Sequence, residues 1–88
     1  MGSYKIELKR SAEKELRKLD KSLIPNIVRR IEQLATNPRP HQSKKLTGSE
    51  RSYRLRAREY RIIYQVDERA KKVTIYAIKH RKEAYQEV

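Results

Sequence analysis

Cysteine is absent from the chain, which excludes a disulfide framework, a thiolate nucleophile and any cysteine-ligated metal. Two histidines are the only imidazoles, too few for an ordinary zinc site, and no metal or organic cofactor is expected. No apolar segment approaches the length of a bilayer span, and no N-terminal apolar run precedes a small-residue cleavage site. A cytoplasmic protein without a membrane partner is therefore expected. Acidic residues are also scarce: 11 Asp and Glu stand against 23 Lys and Arg, a formal charge of +12. Such an excess attracts polyanions, either nucleic acid or an acidic protein.

What is present is enough for one small domain covering residues 1–88. At this length folding buries only about 60% of the unfolded surface, so the core must be economical. Hydrophobic residues make up 36% and charged residues 39%, a balance close to that of disordered chains. The apolar residues, however, fall in periodic runs, which favours a globular fold.

Tyr4, Ile6 and Leu8 alternate with Lys5, Glu7 and Lys9, the period of a half-buried strand. Ser11 reads as an N-cap, with Ala12, Leu16 and Leu19 on one helical face. After a break at Asp20-Lys21-Ser22, where Asp20 or Ser22 can cap the next helix, Pro25 sits near its start. Leu23, Ile24, Ile27, Val28, Ile31, Leu34 and Ala35 then form a helical stripe that reads as core. Asn37-Pro38-Arg39-Pro40 ends it. Residues 41–50 read as polar loop with Leu46 as anchor. Strands are expected over about 51–56, 60–66 and 72–78, with a loop at Asp67–Lys71 and a closing helical turn over 81–87. The last strand is apolar on both faces and should be central or covered. The fold class is α+β in the order β-α-α-β-β-β: an N-terminal strand, two helices packed on one face of an antiparallel sheet with a three-stranded C-terminal meander, and a short C-terminal helix.

Two stretches hold the candidate site. In Tyr53–Tyr64, basic residues alternate with apolar or aromatic ones. If Tyr53, Leu55, Tyr60, Ile62 and Tyr64 face the helices, Arg54, Arg56 and Arg61 share the open face, which Lys79 or Arg81 extends. Arg58 continues the alternation. Guanidinium groups match phosphate oxygens and stack on bases, but a solvated strand face of a basic protein would show the same pattern. His80 belongs to the residue type that changes charge near neutrality, and either a chemical or a structural role fits it. Tyr85 lies four residues beyond Arg81 and would share a helical face with it, to act on one ligand or to anchor the C-terminus. His41 reads as solvated loop.

The element order, Tyr53-Arg54-Leu55-Arg56, Tyr60-Arg61-Ile62-Ile63-Tyr64 and His80-Arg81-Lys82-Glu83-Ala84-Tyr85 together resemble the RelE/ParE superfamily of toxins from toxin–antitoxin pairs. Ser11-Ala12-Glu13-Lys14-Glu15-Leu16 and Lys45-Leu46-Thr47-Gly48 are similar too, so the likeness spans nearly the whole chain. It implies a toxin of a type II system. RelE-like members are ribosome-dependent endoribonucleases that cut mRNA in the A site, whereas ParE-like members act on DNA gyrase and lack the nuclease residues. The residues point to the RelE branch, with gyrase inhibition as the alternative and a non-catalytic RNA-binding module as a third reading. The resemblance also implies a cognate antitoxin, expected to bring an acidic, amphipathic segment.

In the RelE branch the resemblance marks Arg54, Arg56, Arg61, Arg81 and Tyr85, with Lys79 and His80 adjacent. Metal-independent cleavage would drive the ribose 2′-oxygen onto the neighbouring phosphorus. Arg61 and Arg81 suit the phosphorane charge, His80 suits proton transfer, and Tyr85 suits orienting the nucleotide. Arg54, Arg56, Arg58 and Lys79 would bind RNA or ribosome. Ser52 stands where some members carry a lysine, and arginine is a poor general base, so the base stays open.

Overall fold

The computed structural model describes residues 3–48 and 51–84. The elements are β1 (Lys5–Leu8), α1 (Arg10–Arg17), α2 (Ile24–Gln33), β2 (Ser43–Lys45), β3 (Ser52–Ala57), β4 (Tyr60–Asp67), β5 (Lys72–His80) and α3 (Arg81–Ala84). The architecture is α+β as expected, with two helices against a sheet of strand order β1-β5-β4-β3-β2. Two details differ from the expectation. The sheet is mixed, because β1 runs parallel to β5: the chain crosses over through both helices and the meander before returning beside β1. Part of the expected loop forms a further strand, β2, antiparallel to β3. It is only three residues long, too short for alternation to show.

Helix starts also differ in detail. Lys9 donates its N–H to the Ile75 carbonyl at 2.9 Å, which holds Lys9 extended as the N-cap of α1 (φ −67°, ψ 155°). Ser11 is thus inside the helix, and its hydroxyl donates to the Tyr76 carbonyl at 2.9 Å. Asp20 accepts from the Ser22 N–H and hydroxyl at 3.1 and 3.2 Å, closing the turn between the helices. Neither residue caps α2, whose N-cap is Leu23 and whose first turn carries Pro25.

The core joins Ala12 of α1 and Ile27, Ile31 and Leu34 of the α2 segment to Leu55, Ala57, Ile62, Tyr64, Val66, Val73, Ile75 and Ile78 of the sheet. Every strand residue in that set points to one face, which requires a correction of phase within β5. Ile75 lies opposite Tyr64 and Ala77 opposite Ile63, so Tyr76 is an inserted residue. Such a bulge resets the alternation. Val73 and Ile75 before it, and Ile78 after it, therefore all reach the helices.

One end of the sheet is fastened by a polar clamp. The Tyr4 hydroxyl donates to Glu68, which also pairs with Arg39. Arg39 Nε donates to the Tyr53 hydroxyl at 3.0 Å. Tyr53 stacks on Tyr64 at 5.7 Å between centroids, and the Tyr64 hydroxyl donates to the Pro38 carbonyl at 2.7 Å. The Tyr4 hydrogen bond, followed by the Arg39 guanidinium, holds the Glu68 carboxyl below its usual range. Burial pushes the Tyr64 hydroxyl up to about 12. At the β1–β5 border, Lys72 holds the Glu7 carboxyl down, and Glu7 raises the Lys72 amine.

Candidate nucleic-acid interface

The strand register arranges the face away from the helices in rows. Arg56 is opposite Arg61, and Arg61 is opposite Lys79. One step along, Lys44 is opposite Arg54, Arg54 opposite Ile63, and Ile63 opposite Ala77. A third row runs Ser52, Gln65, Thr74. Successive rows stand two residues, or ~6.8 Å, apart. The first row sets like charges directly opposite, which disfavours the sheet. A concavity of about 140 Å³ is lined there by Gln42, Lys44, Arg54, Arg56 and Arg61. None of these is acidic.

Arg61 is the most constrained of these cations. Only 6% of its surface is exposed, and Nη1 donates to the Tyr60 carbonyl at 3.2 Å. It stands on the open face as the alternation implied, but neighbouring side chains wall it in rather than leaving it projecting into solvent. A guanidinium so enclosed is preoriented, in a medium where charge interactions are stronger than in water.

Lys79 is held from the side by α1. Because β1 ends opposite Ile75, the later N–H groups along that edge of β5 need another acceptor. Glu15 supplies one: Oε1 accepts from the Ile78 N–H at 2.8 Å, while Oε2 lies 2.7 Å from Lys79 Nζ.

His80 is placed elsewhere. It is opposite Tyr60 and meets that ring edge-on at 5.4 Å between centroids, on the helix side of the sheet. Its Nδ1 accepts from the Lys82 N–H at 3.3 Å. His80 and Tyr60 line a concavity of about 610 Å³ with Leu23, Arg58 and Glu59. The structure thus sets His80 at the same end of the sheet as Arg61 but on the opposite face. Arg58 occupies the β3–β4 turn at φ 57°, a left-handed conformation that costs a non-glycine residue ~1 kcal/mol or more. Arg81 follows β5, where its N–H donates to the Glu59 carbonyl at 2.7 Å and its Nε lies 3.2 Å from Glu59 Oε2. Tyr85 lies outside the described residues. His41 is exposed in its loop.

Sequence reasoning missed Lys44, Gln42 and Glu15. Lys44 reaches Arg54 through a strand that left no periodic signal. Glu15 acts across 63 positions of chain, for which no local pattern exists. Among the described residues no group of three or more His, Asp or Glu could hold a metal, and no helix is long and apolar enough to cross a membrane.

Fold and face together define a small basic α+β domain built to present cations from a sheet. Residues 6–85 match the family model described as ParE toxin of type II toxin-antitoxin system, parDE. The chain therefore belongs to this toxin family, within the RelE/ParE superfamily. Solved structures agree. The archaeal RelE–RelB complex from Pyrococcus horikoshii OT3 superposes with a TM-score of 0.81 at 27% identity, covering 90% of this chain and 96% of that one. The intact E. coli RelBE toxin–antitoxin complex gives 0.78 at 25%, covering 89% and 96%. A variant E. coli RelE in the free state gives 0.78 at 26%, covering 97% and 93%. No curated protein sequence matches at a significant level.

Proposed function

We propose that this toxin is a RelE-like endoribonuclease that cleaves mRNA during translation, in the ribosomal A site. The observation that carries the reading is the row Arg56–Arg61–Lys79, backed by Lys44 and Arg54 in a concavity lined without a carboxylate. In-line attack of the ribose 2′-oxygen forms a new O–P bond and breaks the bond to the 5′-oxygen. The products are a 2′,3′-cyclic phosphate and a 5′-hydroxyl. The phosphorane between them carries extra negative charge, and preorganised donors there contribute more than any other single effect. Arg61 fills that role, with Arg54 and Arg56 binding the flanking phosphates. Arg81 adds charge at the end of the sheet beside the Arg58–Glu59 turn. His80 lies on the opposite face from Arg61 and does not reach the same phosphate, so the groups that move the 2′ and 5′ protons stay open; Tyr85 is given the orienting of the nucleotide by the resemblance to the RelE branch. The ribosome bends the mRNA into line, so positioning supplies a large share of the rate.

The same reading gives the toxin a cytoplasmic location and a cognate antitoxin. RelE is bound to RelB in the P. horikoshii and E. coli complexes, and the charge of +12 favours an antitoxin with an acidic, amphipathic segment. Co-purification with a basic partner that leaves the open face bare would refute that part. A second reading, inhibition of DNA gyrase without RNA cleavage, is favoured by the description of the matching family model. Cleavage mapping on mRNA and a supercoiling assay separate the two. Cuts within codons with gyrase unaffected support the ribonuclease, and intact mRNA with lost supercoiling supports the inhibitor.

A further inference from the structure

Beyond the cationic rows, the open face carries a polar ladder with no part in phosphate binding. The Tyr76 hydroxyl donates to Gln65 Oε1 at 3.2 Å, and Gln65 Nε2 donates to the Ser52 hydroxyl at 3.3 Å. The ladder crosses β5, β4 and β3. It exists because the β5 bulge turns Tyr76 onto this face, where its ring reaches across to β4 and Lys9 Nζ lies 5.7 Å from the ring centroid.

Both partners are hydroxyls, which donate or accept, so either orientation of the Gln65 amide satisfies them. An amide has two N–H donors and two carbonyl lone pairs, so in either orientation one N–H and one lone pair remain. Gln65 is half-buried, which makes a matched partner worth more and a mismatched one more costly. A donor and an acceptor on one amide complement the amino group and neighbouring ring nitrogen of adenine, the pairing glutamine makes in nucleic-acid recognition. Tyrosine on an open sheet face is a stacking platform for an unpaired base. The Gln65 row follows the Arg54 row by ~6.8 Å, so a strand whose phosphates lie on Lys44, Arg54 and Arg61 places a neighbouring base over the ladder.

We propose that Gln65, held in place by Tyr76 and Ser52, is a base-reading residue that selects adenine in single-stranded RNA lying on the open face. The inference rests on the ribonuclease reading for its substrate class and adds sequence preference to it. The test is fluorescence anisotropy of the full chain with heptauridine, with the same oligonucleotide carrying one central adenosine, and with purine riboside in place of that adenosine. Adenosine should tighten binding about tenfold, and purine riboside, which lacks the 6-amino group, should lose that gain. Gln65→Leu should bring the adenosine oligonucleotide down to the heptauridine value. Gln65→Glu, which keeps the shape and loses the donor, should do the same. Arg54→Ala should instead flatten the salt dependence of binding for every oligonucleotide. Equal binding of the first two oligonucleotides by the wild type, or an adenosine preference that survives in Gln65→Leu, would overturn the inference. Failure of the ribonuclease reading shows separately, as uncut mRNA in a translating extract alongside an intact adenosine preference.

Discussion

Arg61 and Ile62 are neighbours on β4, yet they belong to two different materials. Ile62 has no exposed surface and sits in the apolar layer between sheet and helices. Arg61 is nearly as enclosed, but by other cations and polar groups of the open face. One face of the sheet gains stability by excluding water from apolar surface. The other holds like charges in register, an arrangement that disfavours the sheet and that the proposed function explains by a polyanion opposite. Burial therefore marks packing on one face and preorganisation on the other.

The contrast is broken most sharply by truncating the two neighbours separately. Ile62→Ala should cost ~2–5 kcal/mol of stability, read as a large fall in the midpoint of denaturant unfolding. Arg61→Ala removes an enclosed guanidinium but also relieves like charges in register, so it should cost less stability than Ile62→Ala, yet lower the rate of mRNA cleavage ~10²–10³-fold. A comparable stability loss in both variants would erase the distinction. Next in size is Tyr64→Phe, which leaves the Pro38 carbonyl without its donor and should cost ~1 kcal/mol at neutral pH. Because the folded Tyr64 hydroxyl is pushed up to about 12, its contribution is whole below the unfolded value of about 10 and is lost as pH rises through the folded one. The variant should lack that component of alkaline unfolding, measured by circular dichroism against pH.

A smaller effect tests the link between the faces. Glu15→Gln keeps an acceptor for the Ile78 N–H but removes the charge beside Lys79. RNA affinity should then depend more steeply on salt, by a slope of ~0.7 if Lys79 adds one phosphate contact. An unchanged slope would mean that Lys79 stays off the RNA. The smallest effect belongs to the exposed clamp. Glu68 is held below its usual range, so its contribution is present above the ordinary carboxylate pKa and fades as pH falls through the lowered value. Melting temperatures of wild type and Glu68→Gln should converge in acid, and a constant gap would contradict the clamp.

Much of this was legible in residue order. The α2 stripe and the alternation of Tyr53–Arg56 and Tyr60–Tyr64 placed the layers and assigned Arg54, Arg56 and Arg61 to one face, since period alone decides facing in a regular strand. Facing in β5 was not legible, because the bulge at Tyr76 depends on pairing with β4. That single inserted residue sends His80 to the helix side and Lys79 to the open side, so the expected closeness of His80 to Arg61 becomes a separation by the sheet itself. The contacts of Glu15 and Lys44 likewise arise from chain crossings that local patterns do not encode.

In the proposed function the enclosed guanidinium of Arg61, with the cations in register beside it, acts on the phosphates of translated mRNA. Primer extension on mRNA from a translating extract, with and without ribosomes and with wild type against Arg61→Ala, tests it most directly. Discrete cuts within codons that need both the ribosome and Arg61 are expected. Intact mRNA at doses of the toxin that arrest growth would contradict it.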